Sequence, residues 1–392
     1  MKSYNNKIIK NCLVLANKIR EVQDDLISEL LFYESELVAK DEIIRTLKTL
    51  ANISSELKNK NLKVVSICTF LPLNLPLYSF ILFAFVPSQW AEMVYVRPPY
   101  LMFEILKRVL EKINLPDLIN NIRFLNIERR TFLEYFVKNA DVVIFTGKYE
   151  NAEQVLKRCR NSTLFLYNGT GVNPLLILPN CNIEHAVNKT VEVKTFNSGQ
   201  DCASPDSILV HKSISSDFLK KLMKKLEEIN VGDYKRKQNI VGKLTDRQQL
   251  LITAKFICDR QNYIKYGGKI DFQNEIVYPT VLLNKLNEEM NFKELFSPVF
   301  YIHEYKDENE LKNYFNHTEY LKHAMYISVF GKNKFVNSIK KSIILKEKII
   351  LDIEEGNKEY GGYGSNASFV SYNKNYYRQP ILISREMYKF LD

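Results

Sequence analysis

Of the six cysteines in the chain, Cys202 alone sits in a setting suited to covalent chemistry. It ends the run Phe196-Asn-Ser-Gly-Gln-Asp-Cys202, between a helical pattern that starts near Ile183 and the strand-like Ser207–His211. Gly199 allows a tight turn there, and Asn197 and Gln200 place polar groups beside the thiol. A nucleophilic thiol needs access and hydrogen-bond donors that favour the thiolate. A lone cysteine is more often a small buried hydrophobe, and the loop by itself leaves both readings open. Cys12, Cys68, Cys159, Cys181 and Cys258 lie far apart without CxxC or CxH spacing, and the five histidines form no HExxH. Neither a metal site nor a disulfide framework is expected.

The elements that must position Cys202 follow from the periodicity. Over residues 5–58 apolar residues recur at three- and four-residue steps (Ile8, Ile9, Leu13, Leu15, Ile19, then Leu26, Ile27, Leu30, Leu31), which predicts amphipathic helices ending in a polar break at Ser55–Asn61. Strands are then expected at Lys63–Phe70, Val94–Val96, Ile122–Ile127, Asp141–Gly147 and Thr163–Tyr167, with helices at Tyr100–Ile113, Arg130–Asn139 and Glu150–Arg160. Such alternation implies a parallel sheet covered by helices, a nucleotide-binding type of architecture, although no GxGxxG is present. A second α/β unit starts near residues 169–175. It carries the helix Ser216–Ile229 and strands at Glu275–Leu283, Val299–Tyr305, Ala324–Phe330 and Lys348–Asp352, and the tail ends in a strand-like Pro380–Ser384.

With 392 residues, the chain is long enough to bury a core without cross-links. The 55 Lys and Arg exceed the 45 Asp and Glu by 10, but they are dispersed singly, which favours a solvated surface over a nucleic-acid track. The apolar Val64–Val86 is interrupted by Pro72, Asn74 and Pro76, which suits a strand, turn and helix better than a membrane span. A reduced, soluble, cytoplasmic protein with no nucleic-acid or membrane partner is expected.

Six fragments, in order over about residues 60–375, resemble the aldehyde dehydrogenase superfamily. The cysteine run resembles its Phe-x-x-x-Gly-Gln-x-Cys, with two residues instead of three between Phe196 and Gly199. LPLNLP (Leu71–Pro76) is similar to Pro-Trp-Asn-Phe-Pro, with Asn74 in the Asn position. VRPP (Val96–Pro99) resembles the Lys-Pro motif, VIFTGK (Val143–Lys148) the Phe-Thr-Gly-Ser turn, ELFSPV (Glu294–Val299) Glu-x-Phe-Gly-Pro-Val, and YGGYG (Tyr360–Gly364) the closing Pro-Phe-Gly-Gly.

The resemblance implies a Rossmann-like coenzyme-binding domain over residues 61–171 and an α/β catalytic domain over 172–357. Helices (1–60) would precede them, and a Gly-rich turn with a tail strand (358–392) would follow. It implies that Cys202 attacks an aldehyde carbon and that Asn74, with the Cys202 N–H, forms the oxyanion hole. Arg97, Gly147, Lys148, Glu294 and Phe296 would hold NADP or NAD, with Glu294 at the nicotinamide ribose and Phe296 against the ring. Read without the motif, Glu294 is a solvated strand-end acid, Phe296 a core aromatic and Lys148 a surface residue.

Four departures carry chemical weight. The base of such enzymes is usually a Glu about 34 residues before the cysteine, and Asn168 stands there. An amide cannot take a proton from water, which resembles members that release the acyl group to CoA. Alternatively, Asn168 merely serves a turn before Gly169, and another group acts as base for ordinary hydrolysis. At the cofactor end Arg97 replaces Lys, Tyr100 replaces an acid and Lys148 replaces Ser, a charge balance that favours a 2′-phosphate. The expected substrate is a small aldehyde or acyl thioester, with Phe70, Tyr78 and Phe196 as candidates for an apolar tunnel. The tail strand would be available to a second copy in a homo-oligomer.

Overall fold

The computed structural model describes residues 2–58, 61–115 and 119–392. The expected junction at residue 60 and part of the Ser55–Asn61 break lie outside the described residues.

The first helices are amphipathic. Along Lys2–Glu21 the residues Ile8, Cys12, Leu15, Ala16 and Ile19 fall on one face and are buried. With Gln23–Leu30 and Glu36–Ala51 they join the largest core of the molecule, beneath the first sheet. Ser35 caps the third helix by accepting from the Val38 N–H.

That sheet is built from β1 (Val64–Phe70), β2 (Ala91–Arg97), β3 (Ile122–Phe124), β4 (Val142–Thr146) and β5 (Leu164–Asn168), all mutually parallel. β4 and β5 read as near-continuous apolar runs because both of their faces are covered. The register sets Phe70 beside Arg97 and Phe145, and Thr146 beside Asn168. The motif residues of the first half therefore share the carboxyl edge of one sheet, where open α/β sheets bind ligands.

The second sheet takes β6 (Leu175–Ile177), β7 (Ile208–His211), β8 (Ile264–Tyr266), β11 (Thr280–Lys285), β12 (Val299–Tyr305), β13 (Tyr326–Phe330) and β14 (Ile343–Lys346), in the order β14-β13-β6-β7-β12-β11-β8. Only β8 runs antiparallel there. A small pair, β9 (Ile270–Asp271) and β10 (Ile276–Val277), stands apart. The chain then returns to the first sheet. β15 (Ser368–Tyr372) pairs antiparallel with β5, and β16 (Asn375–Tyr377) forms the outer edge.

Three expected strands are corrected. Glu275–Leu283 is divided into β10 and β11 by Tyr278 and Pro279, since proline cannot donate to a ladder. Lys348–Asp352 is not a strand. Ile350–Asp352 makes a single helical turn, closed by the Asp352 carboxylate on the Ile349 N–H, and the strand lies earlier as β14. Pro380–Ser384 contributes one bridge, Ile381 to Tyr360, before the helix Ile383–Phe390, so it offers no edge strand to a partner. Among the described residues no helix is long and apolar enough to cross a membrane. Val64–Val86 is a strand, a turn and a helix.

Candidate active site

The cysteine loop is held in an unfavourable backbone shape by its own polar residues. Asn197 and Ser198 both have positive φ, 47° and 55°, which is costly for residues with a side chain. Ser198 Oγ accepts from the Gly242 N–H at 2.8 Å and shares a 2.6 Å bond with the Tyr234 hydroxyl. Gln200 accepts from the Thr245 N–H and donates to the Asn197 carbonyl. At Gly199 (φ 74°) an added Cβ would lie 2.4 Å from the Ser297 carbonyl, so only glycine lets this loop pack against the one that carries Glu294 and Phe296. Beneath both, the fully buried Lys194 faces Asp206 at 3.6 Å, and Asp206 accepts from the Leu295 N–H.

Cys202 is half-buried and lines a cavity of about 100 Å³ that is partly open to solvent. Asn173 fixes its backbone by donating to the Cys202 carbonyl at 2.9 Å, while its own oxygen accepts from the Tyr326 N–H. The thiol lies 2.8 Å from the Tyr360 hydroxyl. Burial pushes the thiol well above its usual range, with Asp201 adding to the effect.

Asn74 lines the same cavity. It precedes Leu75, whose left-handed φ of 50° turns the chain into the helix that starts at Pro76. That turn is gripped from the third helix, where Glu42 accepts from the Tyr78 N–H at 2.7 Å, and by Ser79, which donates to the Asn74 carbonyl. Asn168, at the end of β5, completes this group of three, and its Oδ1 is buried without a partner. The rest of the wall is mostly apolar, with Leu75, Tyr78, Leu82, Phe83, Val86 and Ile381. Tyr78 alone of the three expected tunnel aromatics lines it. Phe70 packs on Phe132 and Phe145, and Phe196 is buried with Val38 and Leu75.

The remaining expected residues are arranged toward the carboxyl edge of the first sheet. Arg97 ends β2 and donates to the Ile127 carbonyl, and burial and the nearby Arg129 guanidinium depress its pKa. Gly147 (φ 140°) turns the chain after β4. Lys148 is exposed and stands just before the helix Tyr149–Leu156, where its side chain makes no capping bond. Tyr100 is exposed at the start of the helix Tyr100–Ile113. Phe296 is half-buried with φ 44°. Glu294 interacts with Lys148 and Cys202, and so lies between the two ends of the site. Its carboxyl is held well above the usual range by burial first, then by Asp206. Glu294 Oε1 and Thr146 Oγ1 are buried without partners, two polar atoms available to hydroxyl groups of a bound molecule.

A model of the aldehyde dehydrogenase family matches residues 98–364, more than half of the chain. The chain belongs to the aldehyde dehydrogenase family. Within that family, the lactaldehyde dehydrogenase of Methanococcus aeolicus is 27% identical over 288 residues, which cover 72% of this chain and 56% of that protein. The betaine aldehyde dehydrogenase of Bacillus subtilis is 24% identical over 47% of this chain and 39% of its own length. The chain thus spans about half the length of these curated relatives. The aldehyde dehydrogenase fold is shared with a glyceraldehyde-3-phosphate dehydrogenase of Methanocaldococcus jannaschii, solved with NADP, at a TM-score of 0.76 and 19% identity, over 97% of this chain and 90% of that one. An NADP-dependent enzyme of E. coli superposes with a TM-score of 0.82 at 15% identity, covering 97% and 86% of the two chains.

Sequence reading did not single out Asn173 or Arg129, and met Tyr360 only as part of a glycine motif. The Asn-x-x-x-x-Asn spacing of Asn168 and Asn173 at the end of a buried strand was the one available signal.

Proposed function

We propose that this chain is an NAD(P)-dependent oxidoreductase that interconverts an aldehyde and its acyl-level product through Cys202, with the acyl group exchanged with a thiol such as CoA. The observation that carries this reading is Asn168, an amide facing the cavity where a carboxylate base would stand. The cavity's own acids are engaged elsewhere. Glu354 pairs with Arg45, Glu355 with Lys48, Glu56 accepts from Ser384 and Asn357, and Asp201 accepts from the Ala203 N–H. Each acid that lines the cavity thus already has a partner, whereas a thiolate attacks without a base.

In the forward direction Cys202 Sγ bonds to the carbonyl carbon. The oxygen gains the electron pair and is met by the Asn74 amide and the Cys202 N–H, each such donor being worth about 3 kcal/mol. A bound nicotinamide would supply the hydride acceptor, and loss of the hydride would leave an acyl group on the Cys202 sulfur. Glu294 Oε1 and Thr146 Oγ1 would hold ribose hydroxyls, and Phe296 would border the nicotinamide ring. Arg97, Arg129 and Lys148 form a cationic end suited to NADP. Residues 61–171 serve as the coenzyme-binding half and residues 172–357 as the catalytic half. The largely apolar wall fits a hydrocarbon-rich aldehyde.

A stopped-flow burst tests this. Without CoA, about one equivalent of reduced cofactor should form before turnover stalls, CoA should restore steady turnover, and Asn168→Glu should relieve the stall. Rapid turnover of the unaltered protein without CoA would overturn the acyl-release reading.

A further inference from the structure

Tyr360 occupies the place of the phenylalanine in the closing Phe-Gly-Gly motif, and so differs from it by one hydroxyl. That hydroxyl lies 2.8 Å from Cys202 Sγ. Its position is set by the backbone. The Tyr360 N–H donates to the Ile381 carbonyl at 3.0 Å and the Ile381 N–H returns a 2.8 Å bond. The ring stands 5.7 Å from that of Tyr326, whose hydroxyl accepts from the Gly361 N–H. The bridge fixes the backbone at Tyr360, and the contact with Tyr326 supports the ring.

We propose that Tyr360 is a catalytic residue whose O–H donates a hydrogen bond to Cys202 Sγ, stabilises the thiolate and keeps the sulfur directed into the cavity. The inference rests on Cys202 being the nucleophile. The titratable groups facing the thiol are Asp201, Glu294, Glu354, Tyr326 and Tyr360. Burial and the three carboxyls all oppose a negative sulfur, and the Tyr360 bond acts in the other direction. Tyr360 itself stays neutral, because burial and the neighbouring Cys202, Asp201 and Glu354 hold its own ionisation well above the usual range. A neutral phenol remains a donor throughout the working pH, and a bond to an ionised acceptor is among the stronger hydrogen bonds.

The proton balance is simple. The thiol loses its proton to solvent through the cavity mouth, while the phenol keeps its own. The thiolate pair forms the S–C bond as the carbonyl π pair moves to oxygen. When the acyl group departs to a thiol, the S–C bond breaks and the thiolate returns to the same donor.

The test is alkylation of Cys202 by iodoacetamide between pH 6 and 10, without cofactor, followed by mass spectrometry of the peptide that contains it. Tyr360→Phe should slow alkylation about tenfold at each pH below the thiol's midpoint, the equivalent of an upward shift of about one unit. kcat should fall more than KM for the aldehyde, and the melting temperature should stay close to that of the parent, since the ring still packs on Tyr326. Superimposable alkylation profiles for the two proteins would overturn the inference. Turnover surviving in Cys202→Ala would instead remove the nucleophile reading, and the two failures are thereby distinct.

Discussion

Arg45 Nη1 forms a 2.6 Å ion pair with Glu354 Oε2, joining a helix near the start of the chain to the loop that leads to Tyr360. Arg45 is 7% exposed, pairs also with Asp41 at 2.5 Å and lies over the Phe196 ring. It is the cation around which Asp41, Glu354 and Asp201 gather. The N-terminal helices therefore do more than cover the first sheet, because they supply the charge that lets this wall of the cavity hold its acids. Removing one partner of a buried pair costs about 3–5 kcal/mol. Arg45→Met should lower thermal stability by that order and reduce turnover with it, as read by calorimetry and cofactor absorbance. An unchanged melting temperature would show that the pair contributes no stability.

A pH dependence follows from Glu42, which is fully buried beside Glu34 and pushed up to about 7 from the ordinary 4.5, chiefly by burial. Below pH 4.5 the carboxyl is neutral in both folded and unfolded chains and adds no penalty. Between 4.5 and about 7 the folded chain holds its proton more tightly, so stability falls as pH rises, and the full penalty is present above 7. Glu42→Gln keeps an acceptor for the Tyr78 N–H and removes the ionisation. It should raise stability at pH 8 by on the order of 1–3 kcal/mol and leave it nearly unchanged at pH 4. Chemical denaturation at both values measures this, and equal effects at both would count against the assignment.

Cofactor choice depends on exposed charge. Lys148 stands at the head of a helix, where an anion is also favoured by the helix terminus. Lys148→Ala should weaken NADPH binding several-fold with little effect on NADH, the usual scale for one exposed cation near a phosphate. Equilibrium titration of both cofactors decides it, and a strong NADH preference insensitive to the substitution would remove Lys148 from cofactor recognition.

Much of the molecule was legible in the sequence because its strands are short apolar runs set between helices of clear period. Val299–Tyr305 and the helix Tyr100–Ile113 match their expected ends. Asn74, Asn168 and Cys202, far apart in the chain, meet in one cavity. The errors have local causes. Ile349–Leu351 is a short apolar run whose period cannot separate strand from helix, and Asp352 decides for a turn by capping it. Pro380–Ser384 has strand composition but lies at the entry of a helix. Contacts such as Tyr360 on Cys202, Asn173 on the Cys202 carbonyl and Arg45 on Glu354 leave no periodic trace. They depend on where two sheets place their loops, which no local pattern encodes.

The return of β15 to β5 has a consequence for biosynthesis. Asn168 ends a strand whose outer neighbour, Ser368–Tyr372, is about 200 residues further along the chain. At roughly 5–20 residues per second, the ribosome needs on the order of 10–40 s to make that interval. During that time β5 presents a bare ladder edge, a template for mispairing. Nascent chains arrested before residue 368 should accordingly be cleaved by protease near β5, and chains released past residue 377 should resist. The amide that shares the cavity with the thiol thus comes to rest in its final place only after the chain has been made as far as β15.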